Sequence, residues 1–292
     1  MSKELRSPLV LRGRAFTWGR RTYVMGIINA TPDSFSGDGL GDDAAAAVER
    51  AVSFAQAGCD IIDVGGESTR PGHVAVPEAE EARRVIPVLR AIRQAVDLPL
   101  SIDTLKPAVA SEALAAGADV VNCIWGAPAG IVDAVSRAHA GLVVTHNRAA
   151  PDYAGDLVVE VVDRLSEAAN AARAGGVAAE RIIVDPGIGF GKTADHNVQI
   201  LSRLKEVADR LPYPLLVGAS RKSFIARIMG DSSADRSFGT AAAVALAVAG
   251  GADIVRVHDV RSMVQVVAVS DAVCRHGRAV PREAVDGQAA IR

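Results

Sequence analysis

The chain has little of what would mark it for several common classes. It holds 3 cysteines in 292 residues, Cys59, Cys123 and Cys274, odd in number and far apart. That pattern supports neither a disulfide framework nor a C-x-x-C zinc site, and suits reduced, buried thiols in a cytoplasmic protein. The 6 histidines include no H-E-x-x-H pair. Neither sign of charge dominates: Lys plus Arg is 32, Asp plus Glu is 34, and the net charge is −2. This argues against broad capture of nucleic acid or of an anionic membrane, yet leaves room for a small cationic pocket. The longest apolar stretch, 240–252, is too short and too rich in Gly and Ala to span a bilayer. Residues 1–11 mix charges with a short apolar patch, unlike a signal peptide. With 49% hydrophobic and 23% charged residues, disorder is excluded as well.

What the chain does have is repetition. Short β-branched runs begin near Tyr23 (YVMGIIN), Asp60 (DIIDVGG), Pro99 (PLSIDT), Asp119 (DVVNCI), Gly141 (GLVVTH), Arg181 (RIIVDP), Pro214 (PLLVGAS) and Asp253 (DIVRVHD). Between them lie Ala-rich helical patterns at 42–57, 78–96, 107–116, 156–174, 195–211, 239–249 and 261–274. Several of these helices end at glycine. The runs are apolar nearly throughout, as parallel strands covered on both faces are. Eight β-then-α units about 33 residues apart predict a single-domain (β/α)8 TIM barrel. Length alone would also allow two domains. No G-x-G-x-x-G follows the first strand, which weakens an open doubly wound sheet. Residues 1–22 are expected to form an N-terminal extension, with a hairpin or plug at 8–20. Residues 276–292 read as a polar tail.

Polar residues stand at the C-terminal ends of all eight runs, the rim where barrels carry their sites. They are Asn29; Glu67, Ser68, Thr69 and Arg70; Asp103; Asn122; His146 and Asn147; Asp185; Ser220, Arg221 and Lys222; and Arg256 with His258. Asp103 and Asp185 close apolar runs and could simply cap helices. With Asn122 they also form a set able to bind a planar nitrogen heterocycle through its N–H groups. Arg221, Lys222, Arg256 and His258 are either ordinary surface pairs or an anion site at the quarter that often binds phosphate, beside a helix start near Ser223. Asn29, with Asp33 close by, could ligate Mg²⁺ beside a diphosphate, since Mg²⁺ needs few protein oxygens there. The stretch Gly187-x-Gly189-x-Gly191-Lys192-Thr193 imitates a P-loop. A Walker motif would need glycine at 186, which is Pro186. The glycines suit backbone approach to a flat ligand, with Phe190 against its face.

Six stretches in order make the chain resemble the dihydropteroate synthase family from about 23 to 273. They are MGIINATPDSFS (25–36), DVGGESTRPG (63–72), SIDTLKP (101–107), DPGIGFGKT (185–193), VGASRKSF (217–224) and GTAAAVALAVAGGADIVRVHDV (239–260). The resemblance implies a TIM barrel, a homodimer, and a transferase of folate biosynthesis. That enzyme condenses 6-hydroxymethyl-7,8-dihydropterin diphosphate with 4-aminobenzoate, giving 7,8-dihydropteroate and pyrophosphate. It implies assistance by Mg²⁺ and inhibition by sulfonamides, and the residue types, with Asp185 beside the carbon that diphosphate leaves, suit an SN1-like course. It places Asp103, Asn122, Ile124, Asp185, Phe190, Gly218 and Lys222 around the pterin. Asn29, Arg256 and His258 would hold the diphosphate, Asn29 also the metal. Thr69, Arg70, Pro71 and Ser223 would hold the aminobenzoate. Asp185, Lys222, Arg256 and His258 would carry the chemistry.

The chain departs from the family pattern at three points. Gly37 and Asp38 stand where the family has its loop acid one residue earlier. Cys123 replaces an Asp after Asn122 and is expected to face outward. Thr145 replaces a common Met, giving a smaller and more polar pocket wall. The rival readings are a methyltetrahydrofolate-type methyltransferase and a pterin-binding paralogue without turnover.

Overall fold

The structure, a computed structural model, describes residues 6–30, 44–67 and 76–277. The chain opens with a hairpin of β1 (Leu9–Leu11) and β2 (Arg14–Phe16), paired antiparallel. Arg12 and Gly13 turn it, both with positive φ (50° and 74°). Left-handed backbone at both central positions matches the twist of the flanking strands.

Eight parallel strands follow: β3 (Tyr23–Asn29), β4 (Ile61–Gly65), β5 (Leu100–Asp103), β6 (Val120–Cys123), β7 (Gly141–Thr145), β8 (Ile182–Asp185), β9 (Leu216–Val217) and β10 (Ile254–Val257). Their order in the sheet is β8-β7-β6-β5-β4-β3-β10-β9, and a bridge between Val184 and Leu215 joins the two edges. The expected (β/α)8 barrel is therefore present. Helices α1 (Ala44–Gln56), α2 (Glu78–Ala95), α3 (Pro107–Ala115), α4 (Ala129–Ala138), α5 (Leu157–Ala174), α6 (Ala194–Ser202), α7 (Leu204–Arg210), α8 (Ser223–Met229), α9 (Ser237–Ala249) and α10 (Val260–Asp271) cover the outside.

Alternation along each strand divides the apolar residues into two layers. Val24, Ile28, Ile62, Val64, Ile102, Val121, Cys123, Val144 and Val184 face the helices. Tyr23, Met25, Ile61, Val120, Val143, Ile183, Leu216 and Ile254 face the barrel axis and pack on Leu9, Leu11, Phe16 and Trp18 of the hairpin region. The N-terminal plug is thus real. It closes the bottom of the barrel with large side chains, each worth about 1.5–3 kcal/mol when buried. Cys123 lies in the outer layer, as expected from its parity against Asn122.

Two helix expectations need correction. The pattern at 195–211 breaks into α6 and α7 at Arg203, whose φ and ψ of −109° and 20° are not helical. Helix α4 lies between β6 and β7, outside the expected set, although Ile131, Val132, Ala134 and Val135 give it an apolar face. The other predicted helices hold within a few residues, and Asp156 caps α5 by accepting from the N–H groups of Val158 and Val159. Residues 31–43, with Asp33, Gly37 and Asp38, lie outside the described residues. So do residues 68–75, with Thr69, Arg70 and Pro71, and the tail 278–292.

Candidate active site

The same alternation that builds the barrel floor sends polar side chains inward one layer higher. Register puts Asn29, Gly65, Asp103 and Asn122 side by side on β3 to β6. Thr145 of β7 and Asp185 of β8 stand opposite each other. Gly65 keeps this ring open: a Cβ there would meet the Asp103 Cβ at 3.6 Å and Asn29 Oδ1 at 3.9 Å.

One functional residue escaped the sequence reading. Asp63, in the middle of β4, is fully buried and reaches the same space. Its Oδ2 accepts from Asn122 Nδ2 at 3.1 Å and from Arg256 Nε at 2.6 Å. Arg256 also donates through Nη2 to Asp103 Oδ2 at 2.8 Å. Arg256, expected in a cationic set with Lys222 and His258, therefore spends part of its guanidinium on the acids of β4 and β5. Arg256 is long enough to cross from β10 to β4 and β5, and two buried carboxylates draw it there. The signal for Asp63 was an acid inside the apolar run IIDVGG, where a lone charge is costly unless paired.

Asp103 is held well above the usual carboxylate range by burial, against the pull of Arg256. Asp185 is pushed up to about 6, again by burial, which the N–H of Gly187 at 2.7 Å partly offsets. Lys222 is pulled down to about 8 by burial and then by Arg256. Its ammonium lies 3.7 Å from the centre of the Phe190 ring. Among the described residues, Oδ1 of Asp63, Oδ1 of Asp103, Oγ of Ser101 and Oγ1 of Thr145 are buried without a hydrogen-bond partner. Buried polar atoms normally have one, so this floor suits a ligand or solvent with several polar edges.

The loop 186–193 is no P-loop. Gly187, Gly189 and Gly191 all have positive φ. A Cβ at Gly187 would lie 1.9 Å from the His146 carbonyl oxygen, and one at Gly189 would lie 2.8 Å from Lys222 Cδ. The lysine of the imitation, Lys192, turns inward to His146 Nδ1 at 2.9 Å and the Phe190 carbonyl at 3.0 Å. Burial pulls it down to about 7. It clips the ends of β7 and β8 together instead of cradling phosphate.

The remaining expected residues divide. Ile124 is buried at the end of β6. Gly218 follows β9 on the inward side, where a Cβ would meet Arg256 Cβ at 3.8 Å and Asp185 Oδ2 at 4.0 Å. His258 Nδ1 lies 3.0 Å from Ser220 Oγ, which also accepts from the His258 backbone N–H at 3.3 Å. Ser223 is the exposed first residue of α8, and Arg221 is exposed with φ of 56°. Among the described residues no group of three or more His, Cys, Asp or Glu could hold a metal. Asn29 offers one amide oxygen at the rim, beside Gly65.

Comparison with known proteins follows the same outline. A family described as pterin binding enzyme matches residues 25–258. The dihydropteroate synthase of a Synechocystis strain is 47% identical over 278 residues, covering 92% of this chain and 96% of its own. The crystal structure of the Burkholderia cenocepacia dihydropteroate synthase with 7,8-dihydropteroate superposes with a TM-score of 0.82 at 44% identity, covering 92% of this chain and 97% of that one. The Yersinia pestis dihydropteroate synthase with a sulfonamide drug gives 0.84 at 36% identity, covering 91% and 98%.

Proposed function

As a member of the dihydropteroate synthase family of pterin-binding enzymes, to which the chain belongs, the protein is a transferase that makes dihydropteroate, and we propose how its barrel mouth does so. The observation that carries the assignment of the site is the set of Asp103, Asn122 and Asp185 at the ends of β5, β6 and β8, with Lys222, from the turn after β9, close to Asp185 and Asp103. The pterin would lie on this set, with Ile124, Phe190 and Gly218 around it. An ionised Asp185 accepts from ring N–H groups while Gly187 fixes its other oxygen. Lys222 donates from the opposite side.

The diphosphate would lie toward His258 and the rim at Asn29. Arg256 uses Nε and one Nη2 hydrogen on Asp63 and Asp103, which leaves three of its five N–H donors. Mg²⁺ fits this rim as one held by the Asn29 amide oxygen and by substrate oxygens. When bound, it neutralises charge on the departing diphosphate.

The amine of 4-aminobenzoate is already a neutral nucleophile, so none of these side chains need act as a strong base. The difficult event is departure of diphosphate from the pterin methylene. The carbon left behind is cationic, and Asp185 faces the ring over which that charge spreads, which favours an SN1-like course. Ser223, together with Thr69, Arg70 and Pro71, would receive the aminobenzoate, and a sulfonamide would compete there.

Two further assignments, the compartment and the oligomer, belong to this reading. No helix among the described residues is long and apolar enough to cross a membrane, in keeping with work in the cytoplasm. The outward face of α9 carries Phe238, Ala242, Leu246 and Ala249, all exposed, and such an apolar stripe suits a homodimer contact. The test of the activity is release of pyrophosphate from dihydropterin diphosphate with Mg²⁺. Release that depends on 4-aminobenzoate supports the reading; none would overturn it.

A further inference from the structure

We propose that Asp63 is a positioning residue that sets which heterocycle the site accepts, by fixing the orientation of the Asn122 amide. This rests on the placement of the pterin above. An asparagine amide has a donor end and an acceptor end of nearly the same shape, and only its neighbours decide which end faces a ligand. Here one neighbour decides. Asp63 Oδ2 already accepts from Arg256 Nε at 2.6 Å, and a guanidinium can only donate. An oxygen engaged in that way takes the Asn122 Nδ2 hydrogen at 3.1 Å and would repel the Asn122 oxygen. The amide oxygen is thereby turned away from Asp63, and Asn122 presents an acceptor to the pocket.

The same device acts on the neighbouring strand. Arg256 occupies Asp103 Oδ2 and leaves Oδ1 without a partner. Asp63, Arg256, Asp103 and Asn122 thus form a buried chain with a single consistent direction of donation. Its outcome is two acceptors, Asn122 Oδ1 and Asp103 Oδ1, aimed at one edge of the ligand. Such a pair selects an edge rich in N–H, as an amino-pyrimidine has. It rejects the edge of a deaminated analogue with carbonyl in place of amine, where acceptor would meet acceptor. A site built to bond a particular polar group discriminates strongly against the analogue that lacks it.

The test compares binding of a pterin with that of its 2-oxo analogue, a lumazine, to the wild type and to Asp63→Ala. In the variant no acceptor holds Asn122 Nδ2, so the Asn122 amide is free to turn over. The preference for pterin over lumazine is expected to narrow by about tenfold, the equivalent of one hydrogen bond, with loss of pterin affinity and gain of lumazine affinity. A folded variant that keeps the wild-type ratio overturns the proposal. Should the variant not fold, hydrogen exchange of the Asn122 side-chain amide in the ¹⁵N-labelled wild type decides. One proton protected before any ligand is added supports the proposal; protection that appears only with pterin overturns it. Failure of the site itself would look different: Asn122→Leu would then bind pterin as well as the wild type.

Discussion

The Lys222 ammonium stands 3.7 Å from the centre of the Phe190 ring, joining the corner after β9 to the glycine loop after β8. The two residues come from different barrel units, 32 positions apart in sequence, and meet beside Asp185. A buried amine over an aromatic face is positioned without needing a rigid ion pair. Lys222→Met should keep the packing and lose the donor. Its kcat/KM is expected to fall about 10- to 100-fold, the value of one charge-assisted hydrogen bond. Phe190→Leu should cost less and act mainly on the KM for the pterin. Steady-state kinetics on both substrates checks this, and full activity in Lys222→Met would remove that residue from the site.

Asp185 gives a pH signature with a definite sign. Its carboxyl is raised from 3.8 to about 6 in the folded chain by burial. Between those values the folded state holds a proton that the unfolded state has released. This group therefore lowers stability as pH rises through that window, and favours the fold most below about pH 4. Asp185→Asn removes the term. Urea midpoints of the ligand-free variant should fall less than those of the wild type between pH 4 and pH 6, and the variant should be relatively more stable at pH 7. Activity should run the other way, rising in the wild type through about pH 6 and lost in the variant.

The glycine loop separates stability from catalysis. Gly187 has a φ of 70°, and its added Cβ would strike the His146 carbonyl, which is backbone and cannot give. Gly187→Ala is expected to cost more than the ~1–3 kcal/mol of left-handed strain alone and to yield little folded protein. Gly189 has a φ of 82°, but its Cβ meets the flexible part of Lys222. Gly189→Ala should fold with a loss of that strain energy while displacing Lys222. Thermal melts beside kinetics would show the contrast; equal effects on both properties in the two variants would contradict it.

The sequence reading reached the barrel because parallel strands are apolar on both faces and leave an unmistakable run. It reached Asp103, Asn122 and Asp185 because each interrupts such a run at its end. Asp63 was missed since it lies two residues before the end of β4, inside IIDVG, where a rim-based search does not look. Arg256 was found, and it does stand near Lys222, but its carboxylate partners Asp63 and Asp103 were not foreseen. Sequence gives the strand it leaves, whereas its partners depend on the reach of a long side chain across the barrel axis. The split between α6 and α7 is invisible for a similar reason: LSRLKEVADR keeps good helix formers through Arg203, and tertiary packing bends it.

Helix α9 supplies the last prediction. Its inward residues Thr240, Ala243, Val244, Ala247 and Val248 pack on the barrel. Its outward residues Phe238, Ala242, Leu246 and Ala249 are apolar too, with Phe238 89% and Leu246 60% exposed. A helix that is apolar on both faces does not end its packing at its own barrel. Val269 and Val273 at the end of α10 are exposed as well, and α9 packs against α10. Phe238→Asp combined with Leu246→Asp leaves the inward face untouched. The wild type should sediment as a dimer and the double variant as a monomer, with little change in the monomer's secondary structure by circular dichroism. A wild-type monomer at micromolar concentration would remove the homodimer, while leaving the active site assignment intact, since none of its residues lies on this face.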